Sequence, residues 1–204
     1  MSKADRCIYR ATRDGKHGAG FSLVEITMVI AIILSVGLIA IPNMVAVISN
    51  ARVHAGVTSM SGLLQSCRMA AVKENRTLTT HFTTEGTGTL VGYVKEAPDT
   101  SGRLSTDMQA EWESPVVMMS TPTGAGAPST ITTTMLGFTP ETDEPSFNTR
   151  GLPCLYDGGT CANNGFLYYF KDTSRPGSKG WAALSISPAG RIKKWFWSGD
   201  TWTD

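Results

Sequence analysis

The longest apolar segment of the chain lies near its amino terminus, where residues 21–41 contain a single charged side chain, that of Glu25. As a helix, this segment is about 31 Å long at roughly 1.5 Å per residue, which matches the hydrocarbon core of a bilayer. Five basic residues precede it, and basic residues before an apolar span keep that end in the cytoplasm. The pattern therefore predicts a single-pass membrane protein with a cytoplasmic amino terminus.

After the apolar run, hydrophobic residues recur at alternating steps of four and three, which is the spacing of one helix face. The residues in this stripe are Val53, Val57, Met60, Leu64, Cys67 and Ala71. The pattern predicts one long helix, apolar all round in residues 21–42 and amphipathic in residues 43–75. Gly56 and Gly62 interrupt it, either as points of close packing or as mild weaknesses that each cost about 1 kcal/mol relative to Ala. The amphipathic half needs a covering surface, which the rest of the chain must supply.

Beyond residue 75 the hydrophobic period falls from 3.6 to about 2, which is typical of β-strands. Runs of this kind predict strands at residues 78–83, 90–94, 115–119, 131–138, 166–170, 181–187 and 191–197. Segments rich in Gly, Pro and Ser separate them and are typical of loops. Residues 76–204 are therefore predicted to form a β-rich globular domain. We expect an α+β fold in which a long N-terminal hydrophobic α-helix packs on an antiparallel β-sheet domain.

A short motif, G-F-S-L-V-E, spans the start of the apolar run from Gly20 to Glu25. It resembles the cleavage and methylation motif of type IV pilins and type II secretion pseudopilins. The resemblance implies the pilin fold and cleavage of a leader, residues 1–20, by a prepilin peptidase between Gly20 and Phe21. It also implies N-methylation of Phe21. During assembly, the Glu25 carboxylate would meet the Phe21 amine of a neighbouring subunit.

The same resemblance implies a location and a set of partners. Before assembly the protein would lie in the bacterial inner membrane, with its C-terminal domain in the periplasm. It would then enter a pilus or pseudopilus by packing its N-terminal helix against other pilins or pseudopilins. We expect a minor pilin, acting as a structural subunit or an assembly initiator of a type IV pilus. The alternatives are a minor pseudopilin of a type II secretion system and a DNA-binding pilus subunit for DNA uptake.

The C-terminal part of the chain carries a second, shorter resemblance. The sequence I-S-P-A-G-R-I at residues 186–192 resembles the C-terminal pattern of the GspH/FimT group of minor pilins and pseudopilins. Some FimT-like pilins are implicated in DNA uptake through a basic motif at this place, which implies a DNA-binding role for Arg191, Lys193 and Lys194. Interleaved aromatic residues could stack on bases. The alternative, which we favour, is an edge hairpin with aromatic side chains inward and lysines outward.

The cysteines and histidines limit the remaining function classes. Cys154 and Cys161 flank a turn-rich loop, and in a periplasmic domain we expect them to form a disulfide bond. Cys67 lies on the helix stripe and is predicted to be a buried thiol. The three histidines are scattered and no catalytic or phosphate-binding motif is present, so we expect no enzyme, cofactor or metal. Oxygens in residues 157–164 could bind Ca²⁺, although turn formation is the commoner role of such residues.

Overall fold

The computed structural model describes residues 22–86, 88–112, 114–175, 177 and 179–204, except for the side chains of residues 39–43 and 46. The described residues divide into two units, residues 22–43 and residues 44–204. Gly20 and Phe21, the predicted cleavage and methylation site, lie outside the described residues, as does the predicted leader.

Helix α1 (Leu23–Glu74) belongs to both units, and its second half supplies part of the core of the Met44–Asp204 unit. The side chains that pack there are at most 5% exposed, and they are Val53, Val57, Met60, Leu63, Leu64, Cys67 and Ala71. This confirms the predicted apolar stripe. Asn75 follows the helix with a φ of 54°, a left-handed conformation that Asn tolerates and that commonly ends helices.

The first sheet has six strands and is antiparallel throughout. Its strands are β1 (Leu78–Glu85), β2 (Thr89–Glu96), β3 (Gln109–Trp112), β6 (Ser146–Phe147), β7 (Pro153–Asp157) and β8 (Thr160–Asn163). Their order across the sheet is β3-β2-β1-β6-β7-β8. The strands predicted at residues 78–83 and 90–94 are confirmed as β1 and β2, which form an antiparallel hairpin with Leu78 paired to Glu96 at its open end.

The second sheet also has six strands. These are β4 (Val116–Met119), β5 (Pro140–Glu141), β9 (Gly165–Asp172), β10 (Trp181–Ile186), β11 (Ile192–Trp197) and β12 (Trp202–Thr203). The order is β12-β11-β10-β9-β4, and β5 pairs with the start of β9 in the parallel direction. The strand predicted at residues 131–138 is wrong, because the short helix α2 (Thr133–Leu136) forms there. The Thr132 side chain caps it, and Gly137 ends it with a φ of 78°.

Strand β9 is buried at all eight positions because both of its faces are covered. Phe166, Tyr168 and Phe170 face the core cluster that joins α1 to both sheets. Leu167 and Tyr169 face a second cluster, rich in tryptophan, that lies on the other side of the second sheet. Such two-sided burial gives a continuous apolar run instead of alternation.

The predicted fold class is wrong in its main feature. In the described part of the chain, no long apolar helix packs on a sheet, because the large apolar side chains at the start of α1 are exposed. The packed side chains belong to the amphipathic half, which contacts two six-stranded sheets where one sheet was expected. Periodicity along the chain predicted strands β1, β2, β4, β9, β10 and β11 but carried no information on how many sheets they form.

The predicted location is also contradicted. Among the described residues, no helix has the combined length and apolarity needed to cross a membrane. This finding contradicts a single-pass protein of the bacterial inner membrane with a cytoplasmic amino terminus and a periplasmic domain.

Candidate functional site

The first candidate site is the exposed apolar segment of α1, which we define as residues 23–48. Fifteen large apolar side chains in this segment are between 41% and 79% exposed. Single exposed apolar residues are ordinary, but a contiguous set of this size marks a surface that binds another apolar surface. Burying each such side chain contributes roughly 1.5–3 kcal/mol, so covering even half of the segment contributes on the order of 10 kcal/mol.

Glu25 lies in the first turn of this segment and is exposed. Its backbone N–H donates to the carbonyl of Ser22 at 3.0 Å. A carboxylate at this position interacts favourably with the helix dipole. Among the described residues the Glu25 side chain has no hydrogen-bond or ion-pair partner. Of the three residues predicted to act in cleavage and assembly, Gly20, Phe21 and Glu25, the structure describes Glu25, at the start of an exposed apolar helix.

The structure joins Cys154 and Cys161 in a disulfide bond across the hairpin of β7 and β8, with their Cα atoms 5.3 Å apart. This separation is within the range of ordinary disulfides. Cys67 is the free, buried cysteine of the described chain, as predicted. Burial raises the pKa of its thiol to about 12, so the group stays protonated and unreactive at neutral pH.

The predicted DNA-binding residues do not form one surface, because Lys193 and Lys194 are neighbours on strand β11 and point to opposite faces. The Lys193 ammonium is 2.7 Å from a carboxylate oxygen of Asp204 and 3.9 Å from the centre of the Trp195 ring. Lys194 faces α1, where its ammonium lies 3.4 Å from the Thr58 hydroxyl oxygen.

Arg191 is exposed in the turn between β10 and β11. The aromatic residues that could stack on bases are largely used inside the protein, since Trp195 is 4% and Trp202 7% exposed. Trp202 also donates its indole N–H to the carbonyl of Ser129 at 2.7 Å. The hairpin thus places one basic side chain in solvent and two in contacts within the chain.

A second candidate site is a cleft of about 700 Å³ beside β1. We call it the His81 cleft, and it is lined by Thr79, His81, Phe82, Pro98, Asp99, Thr100, Met118, Thr142, Asp143, Glu144, Ser146, Leu155, Tyr156 and Tyr168. These residues come from both sheets and from the loops that follow β2 and β5. Among the described residues, no lysine or arginine lines the cleft, whereas three carboxylates do. It is therefore an acidic cleft with an aromatic and apolar floor.

Glu144 is held firmly at one side of this cleft. One oxygen of its carboxylate lies 2.7 Å from Nδ1 of His81, and the other accepts the backbone N–H of Phe82 at 3.1 Å. The hydrogen bond to Glu144 raises the pKa of His81, although burial opposes it. Burial alone would raise the pKa of Glu144, but the bonds from His81 and Phe82 outweigh it and lower that pKa.

Sequence reasoning missed the His81 cleft. In the sequence, the three histidines are scattered and suggest no common site. His81 and Glu144 are 63 positions apart, and they meet because β1 pairs with β6, the strand that directly follows Glu144. The signal that could have indicated a site was a histidine inside a threonine-rich strand, but nothing in the sequence identified its partner.

Comparison with protein-family models, with curated proteins and with solved structures finds no match to this chain. Among the residues that the structure describes, no group of three or more His, Cys, Asp or Glu side chains is placed to hold a metal ion. The functional argument therefore depends on the residues and contacts described above.

Proposed function

We propose that this protein is a minor pilin, a structural subunit or assembly initiator of a type IV pilus. The observation that carries the proposal is the exposed apolar segment, residues 23–48, which directly follows the Gly20–Phe21 motif and has Glu25 in its first turn. Such a segment needs an apolar cover, and the same segments of neighbouring subunits supply one. The activity is assembly, in which burial of apolar side chains provides the affinity.

Glu25 sets the register in this proposal. Burying an unpaired carboxylate among apolar side chains is strongly unfavourable, whereas pairing it with an amine offsets much of that cost. A prepilin peptidase that cuts after Gly20 creates such an amine at Phe21. The Glu25 carboxylate of one subunit and the Phe21 amine of the next then form an ion pair only when the two helices are correctly offset.

The packing of α1 within the domain of residues 44–204 also supports the proposal. The core of that domain is complete, because the amphipathic stripe of α1 is buried against both sheets. The stripe of α1 from Val53 to Ala71 is thus already covered, whereas the exposed apolar segment is not. An apolar surface on an otherwise finished protein is typical of a subunit that assembles.

The first test is processing. The intact mass of the full chain is measured after expression with and without a prepilin peptidase. We expect loss of residues 1–20 and gain of one methyl group only when the peptidase is present. An uncut chain in both hosts would show that the Gly20–Phe21 motif is a coincidence and would remove the basis of the proposal.

The second test is assembly by the processed protein. Glu25→Gln preserves the shape of the side chain and removes its charge, and we expect it to abolish incorporation into sedimentable filaments. Ser35→Ala is a matched control, because it changes another exposed polar residue of the same segment without removing a charge. Equal incorporation of the two variants would contradict the role given to Glu25.

Two alternatives are kept as predictions. A type II secretion pseudopilus uses the same assembly chemistry, and a deletion strain that loses secretion but keeps its pili would favour it.

The other alternative is a DNA-binding pilus subunit, in which Arg191, Lys193 and Lys194 bind the DNA. Of these, the two lysines already contact Asp204 and Thr58, so we give the DNA-binding alternative the lower rank.

A further inference from the structure

His81 connects the strand that carries it to two other segments of its cleft. The ring lies on β1 and is only 9% exposed. Its Nδ1 is 2.7 Å from a carboxylate oxygen of Glu144, in the segment between β5 and β6. Its Nε2 is buried and faces the backbone carbonyl of Asp99, in the loop after β2. This second contact falls short of ordinary hydrogen-bond geometry, but the carbonyl is close enough to raise the pKa of the ring.

The oxygen atoms on both sides of the ring determine which of its protonation states fits. A neutral imidazole has one N–H group and one lone pair, whereas the imidazolium ion has two N–H groups. In either neutral form a lone pair faces an oxygen that is itself an acceptor, which is unfavourable for a buried group. Only the doubly protonated ring donates to Glu144 and to Asp99 together. The contacts of His81 therefore depend on a proton that histidine exchanges near neutral pH.

The two segments that His81 contacts differ in how else they are fixed. The second carboxylate oxygen of Glu144 accepts the backbone N–H of Phe82 at 3.1 Å, so this group stays in place without His81. Residues 98–101 all belong to the described chain, and their other hydrogen bonds run within the loop or to Glu96. The Nε2 contact is thus the polar link between this loop and β1. Loss of the Nε2 proton therefore frees the loop and leaves Glu144 bound.

We propose that His81 is a proton-dependent strap: the doubly protonated ring holds residues 98–101 against β1, and loss of the Nε2 proton releases them. Pro98, Asp99 and Thr100 form part of the lining of the His81 cleft, so their release widens the cleft. The strap needs no ligand, because the proton itself is the signal. This device is separate from assembly through residues 23–48.

The charges around His81 give the pH response its sign. The hydrogen bond to Glu144 raises the pKa of His81 most, burial opposes this, and the carbonyl and carboxylate of Asp99 raise it further. The other charged or titratable groups of this region are Tyr93 and Lys95 on β2, Asp107, which pairs with Lys95, and the cleft-lining Asp143, Tyr156 and Tyr168. Because the folded pKa is raised above 6.5, the strap is closed below about pH 6.5 and opens as the pH rises through the folded pKa.

The experiment follows the ring and the loop in the same sample, the full ¹⁵N-labelled chain in a mild detergent, between pH 5 and pH 9. The chain has three histidines, and the His81→Gln variant assigns the ring signals of His81. Exchange of the Asp99 and Ser101 amides with water is measured by NMR and corrected for its intrinsic pH dependence. We expect their protection to fall about tenfold or more, as for the loss of one hydrogen bond to a charged group. The midpoint of this fall should coincide with the titration of Nε2.

An amide elsewhere and three variants locate the effect. The Ala127 N–H bonds to the Gly124 carbonyl in another loop and should keep its protection over the same pH range. His81→Gln cannot take up a proton and should remove the transition, whereas His54→Gln changes an exposed histidine on α1 and should leave it intact. Asp99→Asn keeps the backbone carbonyl and should keep the transition, with a lower midpoint because the carboxylate is gone.

Three outcomes would overturn the proposal. Protection of the loop that ignores the titration of Nε2 does so in the unmodified chain, without recourse to any variant. An equal loss of protection at Ala127 would indicate general loosening of the domain, and loss of the transition in Asp99→Asn would assign the link to the carboxylate. None of these measurements depends on filament assembly, so failure of the strap leaves the proposed function standing, and failure of assembly leaves the strap standing.

Discussion

Two glycines in α1 offer a sharp test of how the helix packs, because their surroundings differ. An added Cβ at Gly62 meets nothing within 4 Å, whereas one at Gly56 comes within 2.9 Å of Cδ1 of Trp112. The Trp112 ring is 2% exposed, and its indole N–H donates to the carbonyl of Gly56 at 2.5 Å. The indole therefore has little room to move away from a new methyl group.

These contacts predict changes of opposite sign in the free energy of unfolding when each glycine is replaced by alanine. Replacing Gly by Ala inside a helix stabilises it by about 0.5–1 kcal/mol, and Gly62→Ala should show this gain in full. Gly56→Ala has the same helical gain, but crowding a packed core costs typically 1–3 kcal/mol. We therefore expect the free energies of unfolding of the two variants to differ by about 1–3 kcal/mol, with Gly62→Ala the more stable protein.

The measurement is urea unfolding of the full chain and both variants in one detergent. The free energies of unfolding are compared with the same slope m against urea concentration for all three proteins. In a Trp112→Phe background, the cost of Gly56→Ala should largely disappear, which a double-mutant cycle detects as a coupling energy. Stabilisation of similar size by both alanines would refute the reasoning, because it would mean that the Trp112 ring does not occupy the space beside Gly56.

Two further predictions concern the β domain. The raised pKa of His81 adds stability that is present below about pH 6.5 and is lost as the pH rises through the folded pKa. The lowered pKa of Glu144 adds stability that is lost as the pH falls below about pH 4.5. The urea midpoint should therefore fall between pH 5.5 and pH 8.5, and Glu144→Gln should flatten that fall; an unchanged slope would contradict the pairing. Cys154→Ser with Cys161→Ser should lower the free energy of unfolding by about 2–3 kcal/mol, as expected for a loop of this length, and a loss well below 1 kcal/mol would argue against that account.

Sequence patterns predicted the features that depend on neighbours along the chain. The stripe of α1 and the strands of the hairpins β1–β2 and β10–β11 follow from periodicity and from short turns. At residues 131–138 the β-propensity of threonine misled the prediction. There, the side chain of Thr132 and the left-handed backbone of Gly137 favour one turn of helix. Local hydrogen bonds thus outweighed propensity.

Features that depend on distant pairings were not predictable. Nothing in the sequence indicates that β1 pairs with β6 as well as with β2, yet this pairing forms the His81 cleft. Similarly, Lys193 and Lys194 look like one basic patch in sequence but face opposite sides of β11. The apolar run of residues 21–41 suggested a membrane span by its length and its single charge, and the finding for the described helix contradicts that interpretation.

The way α1 enters the core has a mechanical consequence. Its buried side chains between Val53 and Ala71 extend over about 27 Å along one helix axis. Tension applied along that axis at residue 44 loads all of these contacts simultaneously, as shear, so the domain yields only when the whole helix slides. Force applied across the axis instead detaches one turn after another. The domain should therefore withstand longitudinal tension far better than lateral tension, and β1, which begins three residues after Asn75, carries that load into the middle of the first sheet.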